Sequence, residues 1–140
     1  MERSDPRELL IAVTEVLKTL NIPYLITGGM AVFIWGRPRF TADIDIVVEL
    51  KRQDVDKLEA ALVLLGEKGY VDKVVMHEAL AHEGEFNFID GVTGVKVDFW
   101  VLKKSAFDRS RLARRVKKEI LGKIIYFSSP EDLLLAKLLW

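Results

Sequence analysis

Two stretches decide the fold: Ile26-Thr27-Gly28-Gly29-Met30-Ala31, and after it Arg39-Phe40-Thr41-Ala42-Asp43-Ile44-Asp45-Ile46. The first sets a glycine pair between two apolar runs. Ile22-Pro23-Tyr24-Leu25-Ile26 reads as a short buried strand, because Pro23 ends the preceding helix and the run is apolar. Met30 to Trp35 reads as a second, largely buried helix closed by Gly36 and Pro38. Without Cβ atoms, Gly28 and Gly29 let backbone N–H groups approach a phosphate, and a helix start adds about half a positive charge. The same pair also suits a tight strand-to-helix turn that needs a positive φ. No Gly-Lys-Ser/Thr is present, which excludes a Walker-type site.

The second stretch is a strand, running from Asp43 to Leu50 and turning wholly apolar as a central strand does. Residues two apart share a face, so Asp43 and Asp45 project together while Ile44 and Ile46 enter the core. Two carboxylates so close repel one another unless a cation lies between them, and hard divalent ions accept such oxygen ligands together with phosphates. The solvent face of an amphipathic strand reads the same way. A third acid stands in Val95-Lys96-Val97-Asp98-Phe99-Trp100, where Asp98 shares a face with Lys96 and Trp100. If this strand pairs beside the Asp43 strand, three carboxylates converge, as a two-metal site requires.

Outward from this centre the grammar is regular. Asp5-Pro6-Arg7-Glu8 opens a helix carrying Leu9, Val13, Val16, Leu17 and Leu20 on one stripe and ending near Asn21. A helix bearing Val55, Leu58, Leu62 and Leu65 stops at Gly66. Tyr70 to Met76 reads as a strand, and His77 to Gly84 carries no clear period. Glu85–Ile89 and Val95–Val101 flank a turn at Asp90-Gly91-Val92-Thr93-Gly94, a basic helix spans about Ala106 to Lys118, and a strand covers Lys123 to Phe127. Ser129-Pro130-Glu131-Asp132 opens a last helix that is still running at Trp140. The order αβαβαβββαβα predicts an α/β or α+β fold, a mixed sheet flanked by helices, as one domain over residues 1–140 whose chain continues past Trp140 or presents that end to a partner.

Composition narrows the chemistry. Of 140 residues half are hydrophobic and 30% charged, so the chain is globular, and Lys plus Arg equals Asp plus Glu at 21 each. Zero net charge gives no global pull toward nucleic acid or an anionic membrane. The absence of cysteine excludes disulfides and thiolate chemistry, and His77 and His82 alone cannot build a three-histidine zinc site. The charged amino terminus and the lack of a spanning apolar run predict a cytoplasmic protein with no membrane partner.

The joint pattern resembles the nucleotidyltransferase fold of the DNA polymerase beta superfamily. Gly28-Gly29, the spacer Met30 to Ala42, Asp43-Ile44-Asp45 and Val97-Asp98-Phe99 fall in that family's order. Gly28-Gly29-Met30-Ala31 with Arg39-Phe40-Thr41-Ala42-Asp43-Ile44-Asp45 is similar to the form found in AbiEii-like toxin and lincosamide-type nucleotidyltransferases, as is Pro130-Glu131-Asp132-Leu133 with Lys137. The resemblance implies a metal-dependent transfer of a nucleoside monophosphate from a nucleoside triphosphate such as ATP to an RNA, protein or small hydroxylated acceptor, with a toxin–antitoxin setting as one context. It implies Asp43, Asp45 and Asp98 as ligands of Mg²⁺ or Mn²⁺, with Asp98 also helping to deprotonate the acceptor, and Gly28 and Gly29 on the β and γ phosphates. Gly29 departs from the serine many members carry there and supplies no hydroxyl.

The remaining candidates have two readings each. Arg37 and Arg39 either fork onto phosphate oxygens or lie in a solvated loop. Thr41 orients Asp43 or caps the strand, and Lys137 reaches the cleft or snorkels. The basic run from Lys103 to Lys118 is a solvated face or a landing strip for RNA or a triphosphate tail. Trp35, Trp100 and Trp140 read as core or interface, and His77 and His82 as surface loop residues. The last helix offers a surface for a homodimer or partner chain. A non-catalytic nucleotide- or partner-binding module with the same fold is the competing function.

Overall fold

The computed structural model describes residues 6–28, 43–65 and 69–138. Helix α1 (Pro6–Thr19) leads into β1 (Tyr24–Thr27), and β2 (Asp43–Val48) follows. A 3₁₀ turn at Arg52–Asp54 opens α2 (Val55–Val63), then come α3 (Lys73–His82), β3 (Glu85–Ile89) and β4 (Lys96–Val101). The chain closes with α4 (Ala106–Ala113), β5 (Val116–Ile120), β6 (Lys123–Phe127) and α5 (Pro130–Leu138). The strands form one mixed sheet in the order β3-β4-β2-β1-β6-β5, with β2/β4 and β1/β6 parallel and the other pairs antiparallel. The expected fold class is the observed one. The helix expected at Met30 to Trp35 and the cap expected from Asp5 lie outside the described residues.

Helix α1 buries Leu9, Leu10, Val13 and Leu17 completely. It ends in a Schellman motif: Ile22 N–H donates to Leu17 O, Asn21 N–H donates to Lys18 O, and Asn21 takes φ 57°. That turn shortens β1 to begin at Tyr24 rather than Ile22, and β2 stops at Val48, two residues before Leu50. Ile26, Ile44, Ile46, Val97 and Phe99 face one core with α1, α2 and α3, where Phe86 stacks on Phe99 at 5.0 Å. Each such side chain contributes about 1.5–3 kcal/mol by leaving water.

Two expectations fail, each for a local reason. Tyr70 to Met76 is not a strand. The Asp72 carboxylate accepts from Val74 N at 2.8 Å and Val75 N at 3.3 Å, starting α3, and only Tyr70 keeps a bridge to Ile89. The helix buries Met76 and Ala79 three residues apart, and the β-branched Val74-Val75 pair had disguised it. His77 and His82 are therefore exposed helical residues, not loop residues.

The basic helix ends at Ala113, not Lys118. Val116–Ile120 instead pairs with β6 through a two-residue turn in which Leu121 (φ 48°) and Gly122 (φ 83°) are both left-handed, the geometry that joins tight hairpins. Helix α4 is capped by Ser105, whose Oγ accepts from Asp108 N.

Ser129 caps α5 by accepting from Asp132 N at 3.1 Å, as the sequence anticipates. Asp132, 1% exposed, receives Arg114 through two bonds of 2.6 and 3.2 Å, tying α5 to the segment before β5. Removing the cation leaves a carboxylate buried without its charge partner. Arg114→Met is thus expected to lower Tm by several degrees, and by more than Asp132→Asn, in thermal melts followed by circular dichroism. Among the described residues, no helix is long and apolar enough to cross a membrane.

Candidate active site

Register places the acids. In the β1/β2 ladder Thr27 pairs with Asp45, and in the parallel β2/β4 ladder Asp45 pairs with Asp98, while Asp43 stands opposite Lys96. Paired residues on neighbouring strands project to the same side at a strand spacing of about 4.8 Å. Strand alternation adds Asp43 to that side and turns Ile44, Ile46, Val97 and Phe99 into the core. All three carboxylates therefore emerge from one face of the sheet, beside the end of β1.

Gly28 closes this corner. Its φ of +69° is left-handed, and a β-carbon built on it would run into Asp45, meeting the carboxylate oxygen and lying 2.9 Å from Cγ. The glycine and the acid pair thus form a single steric unit: only a residue without a side chain leaves Asp45 where it is.

The electrostatics are strained. Burial pushes the Asp45 carboxyl above its ordinary value, the charges of Asp98 and Asp43 push it further, and the Trp100 hydrogen bond and Lys96 oppose this only in part. Trp100 Nε1 donates to Asp45 Oδ1 at 3.3 Å. Asp98 is 8% exposed; its buried Oδ1 accepts no hydrogen bond and has Lys96 Nζ at 3.6 Å as its counter-charge. Glu85 belongs to the same field. It pairs in register with Trp100, and burial followed by the charges of Asp98 and Asp45 raises its carboxyl. Among the described residues, Lys96 thus stands within the field of Asp45, Asp98 and Glu85 and opposite Asp43 in register.

Among the described residues no three acids or histidines form a finished metal cage. The donor chemistry nevertheless fits a hard divalent ion: Asp98 Oδ1 is buried without a hydrogen bond, and Asp45 is held against like charges. Such an ion would compete with Lys96 for Asp98.

The structure brings together Gly28, Asp43, Asp45 and Asp98. Gly29, Arg37, Arg39, Thr41 and Trp140 lie outside the described residues, and Lys137 falls on α5 near its end. Trp100 corrects an expectation: the sequence assigned it to core or interface, yet its indole bonds a site carboxylate. Its signal was the shared face of Lys96, Asp98 and Trp100. Glu85 was missed, although Glu85-Phe86-Asn87-Phe88 alternates polar and apolar residues and so marks Glu85 and Asn87 as neighbours of Asp98.

This fold is that of the nucleotidyltransferases. The chain is similar over 99% of its length to 86% of a Thermotoga maritima protein described as a nucleotidyltransferase, with TM-score 0.65 and 17% identity. It matches the lincosamide antibiotic adenylyltransferase LnuA, solved with lincomycin, with TM-score 0.64 and 14% identity over 96% of this chain and 86% of that one. It also matches ANT(2")-Ia in complex with adenylyl-2"-tobramycin, with TM-score 0.59 and 19% identity over 94% of this chain and 74% of that one. No family model matches the sequence, and no curated protein matches it.

Proposed function

We propose that the protein is a metal-dependent nucleotidyltransferase. The observation that carries this reading is the β2/β4 register, which sets Asp45 against Asp98 with Asp43 on the same face and Gly28 against Asp45. The adenylyl transfers named for LnuA and ANT(2")-Ia support the same reaction class.

In the reaction an acceptor oxygen bonds to the α-phosphorus of a nucleoside triphosphate, the bridge to the β-phosphate breaks, and pyrophosphate leaves. Asp43, Asp45 and Asp98 would hold Mg²⁺ or Mn²⁺, which when bound supplies charge neutralisation for the triphosphate and the leaving group. Asp98, with an oxygen that accepts no hydrogen bond, takes the acceptor's proton. Trp100 holds Asp45 in place through its indole N–H. Gly28 and Gly29 present backbone N–H groups to the β and γ phosphates, and Arg39, Thr41 and Lys137 complete the nucleotide contacts. The candidate acceptors are RNA, protein and small hydroxylated molecules, and ATP and a toxin–antitoxin context belong to this proposal.

The test is transfer of label from α-³²P nucleoside triphosphates, with Mg²⁺ or Mn²⁺, to pooled RNA or protein. Label should require divalent ion and vanish in Asp43→Ala/Asp45→Ala protein. Equal label in that variant removes the assignment.

A further inference from the structure

The same sheet face carries a second feature at its other end. By alternation Pro23, Glu49 and Leu102 continue the rows of Thr27, Asp45 and Asp98, and the ladders extend there through Glu49 N–H to Pro23 O (2.9 Å) and Leu102 N–H to Val48 O (2.8 Å). These three residues line a cleft of about 480 Å³, with Arg109, Arg115 and Tyr126 among its other walls. Asp45 and Asp98 stand four positions before Glu49 and Leu102, about 13 Å along the strands at about 3.3 Å per residue.

Around this cleft several cations have no acidic partner among the described residues. Arg111 and Arg114 are answered by the buried Asp108 and Asp132. Arg109 and Arg115 in the lining, and Lys117 beside Tyr126, form no ion pair among the described residues. Arg115 lies 4.4 Å from the centre of the Tyr126 ring and Lys117 lies 6.0 Å from it, so the ring fixes cations at the cleft mouth. Glu49 is the acid in the lining, and it pairs with neither arginine. Among the described residues, this sheet face thus carries three aspartates at one end and Arg109, Arg115 and Lys117 at the other.

We propose that this basic cleft binds the phosphate backbone of a single-stranded nucleic acid whose end serves as the acceptor at the acid row. Several cations around one cleft suit a repeating polyanion, and the Tyr126 ring in its wall offers a face to an unpaired base. The inference deepens the transfer reading by assigning its acceptor class, and it rests on that reading for the acceptor role alone. Repulsion at the acid row leaves the strand's internal phosphates to the arginines.

Fluorescence anisotropy with labelled single-stranded RNA and DNA of about twenty nucleotides, without nucleotide or metal, tests it, and comparing the two arms identifies the sugar preferred. Binding should weaken steeply with salt, log K falling by about 0.7 per phosphate contact against log salt. Arg109→Glu/Arg115→Glu should raise Kd at least about tenfold and flatten that slope by about 1.4. Arg109→Glu/Lys117→Glu, which leaves Arg115 on its ring, should weaken binding in the same direction and covers the case where the first variant does not fold. Parent protein that binds neither strand, folded variants within about twofold of parent, or tighter binding to phosphatidylserine vesicles than to either strand would each overturn the proposal. Because no triphosphate is present, such a failure leaves Asp43- and Asp45-dependent label transfer standing, and loss of that transfer leaves strand binding measurable.

Discussion

Asp45→Asn protein is expected to lose label transfer by about 10²–10³-fold or more while melting no lower than the parent. Asparagine keeps an oxygen for the Trp100 indole, so the local hydrogen bond survives. What disappears is a charge that burial, Asp98 and Asp43 all disfavour. The pH dependence follows from the same forces. The folded protein holds the Asp45 proton more tightly than the unfolded chain does, so this group stabilises the fold below the ordinary carboxylate value of 3.8 and loses that contribution as pH rises through the elevated folded value. The difference in Tm between parent and variant should therefore move in the variant's favour as pH climbs into the neutral range without divalent ion. Mn²⁺ should raise the parent's Tm and leave the variant's nearly unchanged, by ligand linkage. Paired melts across pH with a transfer assay check all three, and a variant that retains transfer removes Asp45 from the reaction.

Gly28→Ala carries the second large effect. The left-handed backbone costs a residue with a side chain about 1–2 kcal/mol. The new methyl also meets the Asp45 carboxylate, with Cγ at 2.9 Å, and such overpacking adds about 1–3 kcal/mol. Transfer should fall with stability because Asp45 must move. The two costs separate in a double-mutant cycle: with Asp45→Gly as background, Gly28→Ala should cost only the backbone part, a coupling of about 1 kcal/mol or more. Urea unfolding of the four proteins measures it, and additive effects would show that glycine and acid are not one unit.

The sequence was most informative where periodicity and chemistry coincide. Asp43-Ile44-Asp45 and Val97-Asp98-Phe99 each announced a strand with acids on one side, and both ladders have that form. That the two strands are neighbours and parallel was not written locally, since pairing across more than fifty residues depends on the whole sheet. Errors fell where a short polar side chain redirects an apolar run. Asp72 turned Val74-Val75 into a helix start, and Leu121-Gly122 turned a basic helix into a hairpin. Glu85 went unassigned and Trp100 was placed in core or interface, because their roles come from the strand beside them and not from their own segments.

The parallel pairing of β2 with β4 has a consequence for biogenesis. No contiguous piece shorter than the span from Asp43 to Asp98 contains the acid row, so the centre comes into being only when distant segments dock. Competence is then an all-or-none property acquired late in folding, and a substitution far from the row that delays docking would silence the protein without touching any of its acids.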